Sequence, residues 1–220
     1  MSRTLEKPNF QFCGDLLHAR RERGFILSLS DHFEQAIADH IQVIQSIRQQ
    51  QPMLEHIAAE MANAIAAGKK VLWCGNGGSA ADSQHMAAEL MGRFKRERRA
   101  LPSIALTTDT SILTAIGNDY GFDRVFERQI EALCIAGDVV VGISTSGNSK
   151  NVCAALRTAR KMGAFTVAFT GAGGGAITGI AAASLCMASK DTARIQEGHI
   201  LCGHMLCDWV ESRVCQAQGI

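Results

Sequence analysis

The chain has 220 residues, enough for one α/β domain with helix to spare and few for two independent cores. A composition of 47% hydrophobic and 20% charged residues excludes a largely disordered, collagen-like or repeat-dominated chain. With 22 basic against 21 acidic side chains the net charge is +1, so no global field draws in nucleic acid or anionic lipid. Neither is expected as a partner, and a bound anion must be held by local geometry.

Eight cysteines are too sparse for a disulfide-stapled secreted domain, and no signal-peptide pattern precedes them, so a reducing cytoplasm is the expected location. Cys202 and Cys207 lie five apart with Cys215 beyond, but no pair has the C-x-x-C spacing of a zinc knuckle, and buried thiols are the simpler expectation. The uncharged run from Met162 to Ser189 is long enough to span a bilayer. Gly171 to Gly175 interrupts it and Thr and Ser dilute it, as two buried strands around a glycine loop would require.

Residues 1–27 show no sustained periodicity and hold Arg20, Arg21 and Arg23; they read as a flexible arm or an over-long start of the reading frame, ahead of a single domain over 28–220. From Ser30 the pattern is helical, with Phe33, Ile37, Ile41, Ile44 and Ile47 at spacings of three and four, giving an amphipathic helix over 31–49. Pro52 starts a second helix that runs through Ala66 and stops at Gly68. The first of these apolar faces needs a partner surface, either the chain's own sheet or a second subunit.

Beyond Gly68 the pattern alternates. Val71–Cys74, Ile104–Leu106, Val139–Ile143, Phe165–Phe169 and Ser184–Met187 read as buried strands, separated by helical stretches at 79–95, 110–117, 122–134 and 149–162, with 191–217 last. Strands separated by helices pair in parallel through right-handed crossovers, which predicts a three-layer helix-sheet-helix α/β sandwich on a five-stranded parallel sheet, with an N-terminal helical extension. Ligands of such sheets sit at the carboxyl ends of the strands.

Two strand ends break into small polar residues. Gly75-Asn76-Gly77-Gly78-Ser79 runs straight into a helix, with Ser79 and Asp82 spaced as a capping box. Its glycines permit close backbone approach, and the free N–H groups of a helix start favour an anion. The segment also matches the G-x-G-x-x-A dinucleotide fingerprint, but the acidic residue such a site needs about 20 positions on is missing: Asp109 comes thirty after Ser79. Ser144-Thr145-Ser146-Gly147-Asn148-Ser149 groups four hydroxyls around one glycine before another helix. Either loop alone reads equally as an ordinary turn and N-cap; two at strand ends of one sheet favour a phosphate held by neutral donors.

Helix 79–95 carries His85 and Glu89 four apart, hence on one face, where the pair suits a metal or acid–base work. The last helix carries Gln196, His199 and His204 among Ile195, Ile200, Leu201, Met205, Leu206 and Trp209, a setting in which a lone histidine is usually a satisfied core residue.

The two loops on this alternation of elements resemble the sugar isomerase (SIS) domain, of flavodoxin-like form. Gln84-His85-Met86-Ala87-Ala88-Glu89-Leu90, Gly117-Asn118-Asp119-Tyr120-Gly121-Phe122 and Arg194-Ile195-Gln196-Glu197 narrow the likeness to the sedoheptulose 7-phosphate isomerase, or phosphoheptose isomerase, family over about 31–215. The resemblance implies one zinc per subunit on His85, Glu89, Gln196 and His204, with Glu89 and His204 as acid–base catalysts. It implies substrate contacts at Asn76, Gly77, Gly78, Ser79, Glu89, Thr108, Asp109, Ser144, Thr145, Ser146, Ser149 and Gln196, the serines taking the phosphate and Asn76 and Asp109 facing sugar hydroxyls. It further implies a homotetramer with active sites near subunit interfaces, acting on sedoheptulose 7-phosphate at the first step towards ADP-heptose and lipopolysaccharide core. Gln196 and His204 are eight residues apart, roughly 12 Å along a straight helix, so long side chains must converge or a second subunit must complete the site. The rival reading within the same resemblance is a non-catalytic, DnaA-binding regulator of replication initiation, against which the presence of both Glu89 and His204 argues.

Overall fold

A computed structural model of the chain describes residues 28–218; the arm expected over 1–27 lies outside them. By internal contacts the chain divides at Asp39/His40. In the first unit the front of helix α1 (Leu29–Ser46) is capped locally, the Asp31 carboxylate accepting from the Ser28 N–H and hydroxyl at 3.2 and 2.9 Å. In the second unit Val43 and, in the 3-10 turn Ile47–Gln50, Ile47 are buried in the core. The single helix expected over 31–49 thus ends early in that tighter turn, and α2 (Gln51–Ala66) follows with Pro52 in its first turn, where a missing N–H costs nothing.

The five apolar runs become five parallel strands, β1 (Val71–Gly75), β2 (Ser103–Ala105), β3 (Val139–Ile143), β4 (Phe165–Thr170) and β5 (Ala183–Cys186), in the order β2-β1-β3-β4-β5. Alternate residues serve opposite layers. Val71 and Trp73 join α2, α3 (Gly78–Met91) and α7 (Thr192–Gln218) in one core. Leu72 and Cys74 join α5 (Glu127–Leu133) and α6 (Lys150–Lys161) in the other, with Leu113 and Ile116 of α4 (Thr110–Tyr120) packed on it. Because β1 is followed by β2 on one side and β3 pairs on the other, the chain reverses its winding between β1 and β3. That is where an open parallel sheet leaves a crevice at its carboxyl end.

Helix boundaries differ from the sequence reading where capping decides them. α3 starts at Gly78 from Gly77, whose φ of +55° only glycine adopts readily, and no side chain caps it. The expected Ser79/Asp82 capping box is therefore not formed, and Ser79 is buried inside the helix. The same helix stops at Met91 rather than 95, because the buried Arg98 guanidinium donates to the carbonyls of Glu89, Leu90 and Gly92 at 2.9–3.0 Å and satisfies its last turn. The stretch 122–134 splits into a 3-10 turn, Phe122–Arg124, and α5. No helix among the described residues is long and apolar enough to cross a membrane.

α7 is one continuous helix packed parallel to α3. A methyl group on Gly203 would overlap the Met86 thioether, and one on Gly78 would overlap the Gln196 amide, so the two helices touch at matching heights. His199 on α7 is a core histidine, as its apolar setting suggests: it is buried, with Nε2 3.1 Å from the Thr170 carbonyl oxygen and Nδ1 without a hydrogen-bond partner among the described residues. Burial pulls its pKa down to about 4, the bond to Thr170 offsetting only part of the effect. The unfolded chain takes up this proton near pH 6.5, whereas the folded chain refuses it until about pH 4. Stability is therefore full above the unfolded value and falls as pH drops through this window. Urea titrations at about pH 7 and about pH 5 should show wild type losing on the order of 1–2 kcal/mol more than His199→Gln.

Candidate active site

The glycine loop and the hydroxyl loop leave β1 and β3, adjacent strands on either side of the winding reversal, and a side-chain bond joins them. Asn76 and the buried Asn151 of α6 exchange two amide hydrogen bonds, both 2.9 Å. The Asn151 oxygen also accepts the Val152 N–H at 2.9 Å. Nothing in the sequence reading singled out Asn151; its place two residues after Ser149 carries no pattern of its own.

Within the second loop the hydroxyls first bond to one another. Ser144 is buried with its Oγ 2.9 Å from Ser149 Oγ and 3.5 Å from Ser146 Oγ, while Ser146 Oγ accepts the Asn148 N–H at 3.2 Å. Ser149 is the N-cap residue of α6 but makes no side-chain capping bond; of the first N–H groups of that helix, that of Val152 goes to the Asn151 oxygen, and those of Lys150 and Asn151 face the loop. A cavity of about 210 Å³ opens beside this loop, lined by Thr145, Ser146, Ser189, Lys190, Thr192 and Ile195. A larger one, about 520 Å³, lies between α2 and the end of α7 around Asn63, Arg99 and Arg213 and touches none of the expected site residues. The polar lining of the smaller cavity makes it the more relevant of the two. Asp109 is exposed and caps α4, accepting the Ile112 N–H at 2.9 Å; Thr108, exposed beside it, donates to the Ala105 carbonyl at 3.4 Å.

The parallel packing of α3 and α7 brings His204 to the face that carries His85 and Glu89. His85 Nε2 is 3.0 Å from Glu89 Oε1 and 3.4 Å from His204 Nε2, and one donor atom from each of the three lies within 4.8 Å of the others. A tetrahedral zinc at about 2.0–2.1 Å from each nitrogen sets neighbouring donors about 3.3 Å apart, so two imidazoles and a carboxylate at these separations fit such an ion. His204 is stacked on Phe94, with ring centroids 5.4 Å apart and planes at 18°. Burial lowers the His204 pKa, His85 and Lys95 adding to the effect and Glu89 opposing it, which favours the neutral imidazole that a metal or a proton transfer needs.

Gln196 sits at the head of α3. Its amide lies against Gly78, seven residues or roughly 10 Å of helix before His85, where the first loop becomes α3. The rise that separates Gln196 from His204 on α7 is matched by the rise that separates Gly78 from His85 on α3. Asp82, read from sequence only as a capping partner, lies one turn before His85. Burial raises its pKa against the pull of His85, and its Oδ2 is buried without a partner among the described residues.

Residues 32–171 match the family model for the SIS domain. The chain is 61% identical over 160 residues to a phosphoheptose isomerase of Aquifex aeolicus, covering 73% of this chain and 84% of that protein. The chain belongs to the phosphoheptose isomerase family. Among solved structures, a phosphoheptose isomerase from Neisseria gonorrhoeae shares 44% identity with a TM-score of 0.79, and one from Francisella tularensis 35% with 0.82; each alignment covers 84% of this chain and all of the other. Family membership accords with the resemblance and the fold read from the sequence, and with an aldose–ketose isomerase of sugar phosphates.

The asparagine pair ties the glycine loop to the first turn of the helix that follows the hydroxyl loop. Asn151→Ala should cost about 1–3 kcal/mol in denaturant unfolding, because it strands the Asn76 amide and the Val152 N–H together; a loss below about 0.5 kcal/mol would mean that the loops are held apart from this pair.

Proposed function

We propose that this phosphoheptose isomerase family member interconverts sedoheptulose 7-phosphate and D-glycero-D-manno-heptose 7-phosphate, an early step towards the heptose of lipopolysaccharide core. The observation that carries the reading is the meeting of Glu89, His85 and His204 on facing helices beside the strand-end loops. A binding module has no use for a carboxylate and two imidazoles within 4.8 Å of one another.

Zinc, one per chain, is the ion proposed for His85, Glu89 and His204, where it would supply a Lewis acid for the carbonyl and enediolate oxygens. Glu89 has a second carboxylate oxygen beyond the one facing His85, and this oxygen takes the proton from C1 of the ketose. The O1 hydroxyl proton passes by way of His204 to O2 as the cis-enediol forms and collapses, and Glu89 returns its proton to C2 to leave the aldose. No atom is gained or lost. The hydroxyls of Ser79, Ser144, Ser146 and Ser149, the backbone of Gly77, Gly78 and Thr145, and the start of α6 hold the phosphate far from the reacting carbons, so that its binding energy positions the sugar. Asn76, Thr108 and Asp109 contact sugar hydroxyls in this scheme.

Gln196 is retained as a fourth ligand or substrate contact, reached by side-chain movement or completed across a subunit boundary. That reading of Gln196, with Ile41 of α1 exposed on the apolar face read from the sequence, supports a homotetramer with its sites near the interfaces. Light scattering that returned a monomer with full activity would remove this part of the proposal. A cytoplasmic location is proposed with it; the seven cysteines of the described residues are all free thiols.

Purified protein should isomerise sedoheptulose 7-phosphate, lose that activity on chelation and regain it with zinc. Inactivity in a zinc-replete protein would favour the regulatory reading instead. Glu89→Gln, nearly isosteric, should lower kcat by about 100-fold or more with an unchanged melting profile; wild-type turnover in that variant would refute the proton-transfer role.

A further inference from the structure

Glu211 is a buried carboxylate with no part in the reaction just described. It lies on α7 seven residues, about two turns, beyond His204. Its two oxygens accept the backbone N–H groups of Phe94, Lys95 and Arg96 at 2.9, 2.8 and 3.0 Å and face the Arg98 Nε at 3.2 Å. Arg98 is buried as well and spends its other donors on the carbonyls that close α3, including that of Glu89 at 2.9 Å. One desolvated ion pair therefore ties the end of the helix that carries His85 and Glu89 to the helix that carries His204. Such a pair adds little net stability over apolar residues of the same size, but its charges enforce one geometry, since breaking it strands a charge.

What that geometry delivers is Phe94. The turn at residues 94–96 has no regular secondary structure, and the three N–H groups gripped by Glu211 hold it. The ring it presents stacks on the His204 imidazole at 5.4 Å. In the plane of that imidazole, Nε2 faces His85 Nε2 at 3.4 Å.

We propose that Glu211 is a positioning residue for His204, acting through the 94–96 turn: it sets Phe94 as the wall that fixes the imidazole plane and keeps Nε2 directed at His85 and Glu89. This rests on the reading of those three side chains as the metal and acid–base site. Outer groups of this kind orient a ligand without touching the ion, and their loss typically costs 10–100-fold in metal affinity or activity.

The first readout needs neither metal nor substrate. In metal-free protein the His204 Cε1–H resonance should be displaced by the Phe94 ring current, stay displaced in Phe94→Tyr, and return towards the ordinary histidine position in Phe94→Leu and in Glu211→Gln. Zinc affinity by chelator competition should fall about 10-fold or more in Phe94→Leu and in Glu211→Gln, with kcat reduced and KM little changed, and recover in Phe94→Tyr. Should Glu211→Gln fail to fold, Glu211→Asp, one methylene short of the turn, is read in its place. A folded Glu211 variant with the wild-type resonance, or Phe94→Leu with wild-type resonance and zinc affinity, overturns the proposal. Wild-type protein that shows the displaced resonance but does not turn over sedoheptulose 7-phosphate overturns the isomerase reading and leaves the positioning intact.

Discussion

The close parallel contact between α3 and α7 is the constraint from which the site follows. Gly203 has no side chain, so the Met86 thioether lies against the α7 backbone and the two helix axes come near enough for short side chains to meet across them. Both helices rise about 1.5 Å per residue and turn once in 3.6 residues. Once Met86 and Gly203 are in contact, His204 must face His85 and Glu89, and the head of α3 must meet Gln196 about two turns earlier. A one-residue shift of either helix would rotate its side chains by about 100° and break both meetings together.

The same packing imposes an electrostatic division. At the α3–α7 end, charge is concentrated and buried. Burial pushes the Glu211 carboxyl up, but three backbone N–H groups and Arg98 outweigh that and leave it below the ordinary carboxylate range, while His204 is driven towards its neutral form. At the loop end, donors are neutral. Ser144, Ser146 and Ser149 bond to one another, and Asn76 to Asn151, so the loops are arranged before any ligand arrives. A chain of net charge +1 has no global field to select a phosphate, so local groups, this order and Lys190 beside it, must do so.

Legibility in the sequence tracked how local each cause is. The five strands were readable because a parallel strand buried on both faces is an uninterrupted apolar run, and β1 and β3 are fully buried. Helix ends were less so, since the end of α3 is set by Arg98 arriving from outside the helix and its start by the φ of Gly77, neither of which a periodicity contains. The i, i+4 pair His85 and Glu89 was visible on one helix. His204 was chosen by resemblance rather than by pattern, and Phe94, Asn151 and Glu211 gave no signal, because their importance lies in contacts spanning 75 to 117 residues.

By itself the sequence determined the class of fold, the two small-polar strand ends and the residue types available for chemistry, because alternation of apolar runs with amphipathic stretches and the backbone needs of tight turns are written in neighbouring residues. Only the tertiary structure decided that the two loops leave adjacent strands at the winding reversal, that His204 rather than His199 meets the carboxylate, and that the Gln196 amide lies against Gly78. Those are outcomes of sheet order and of the height at which two helices touch, which depend on the packing of the whole core and on no local pattern.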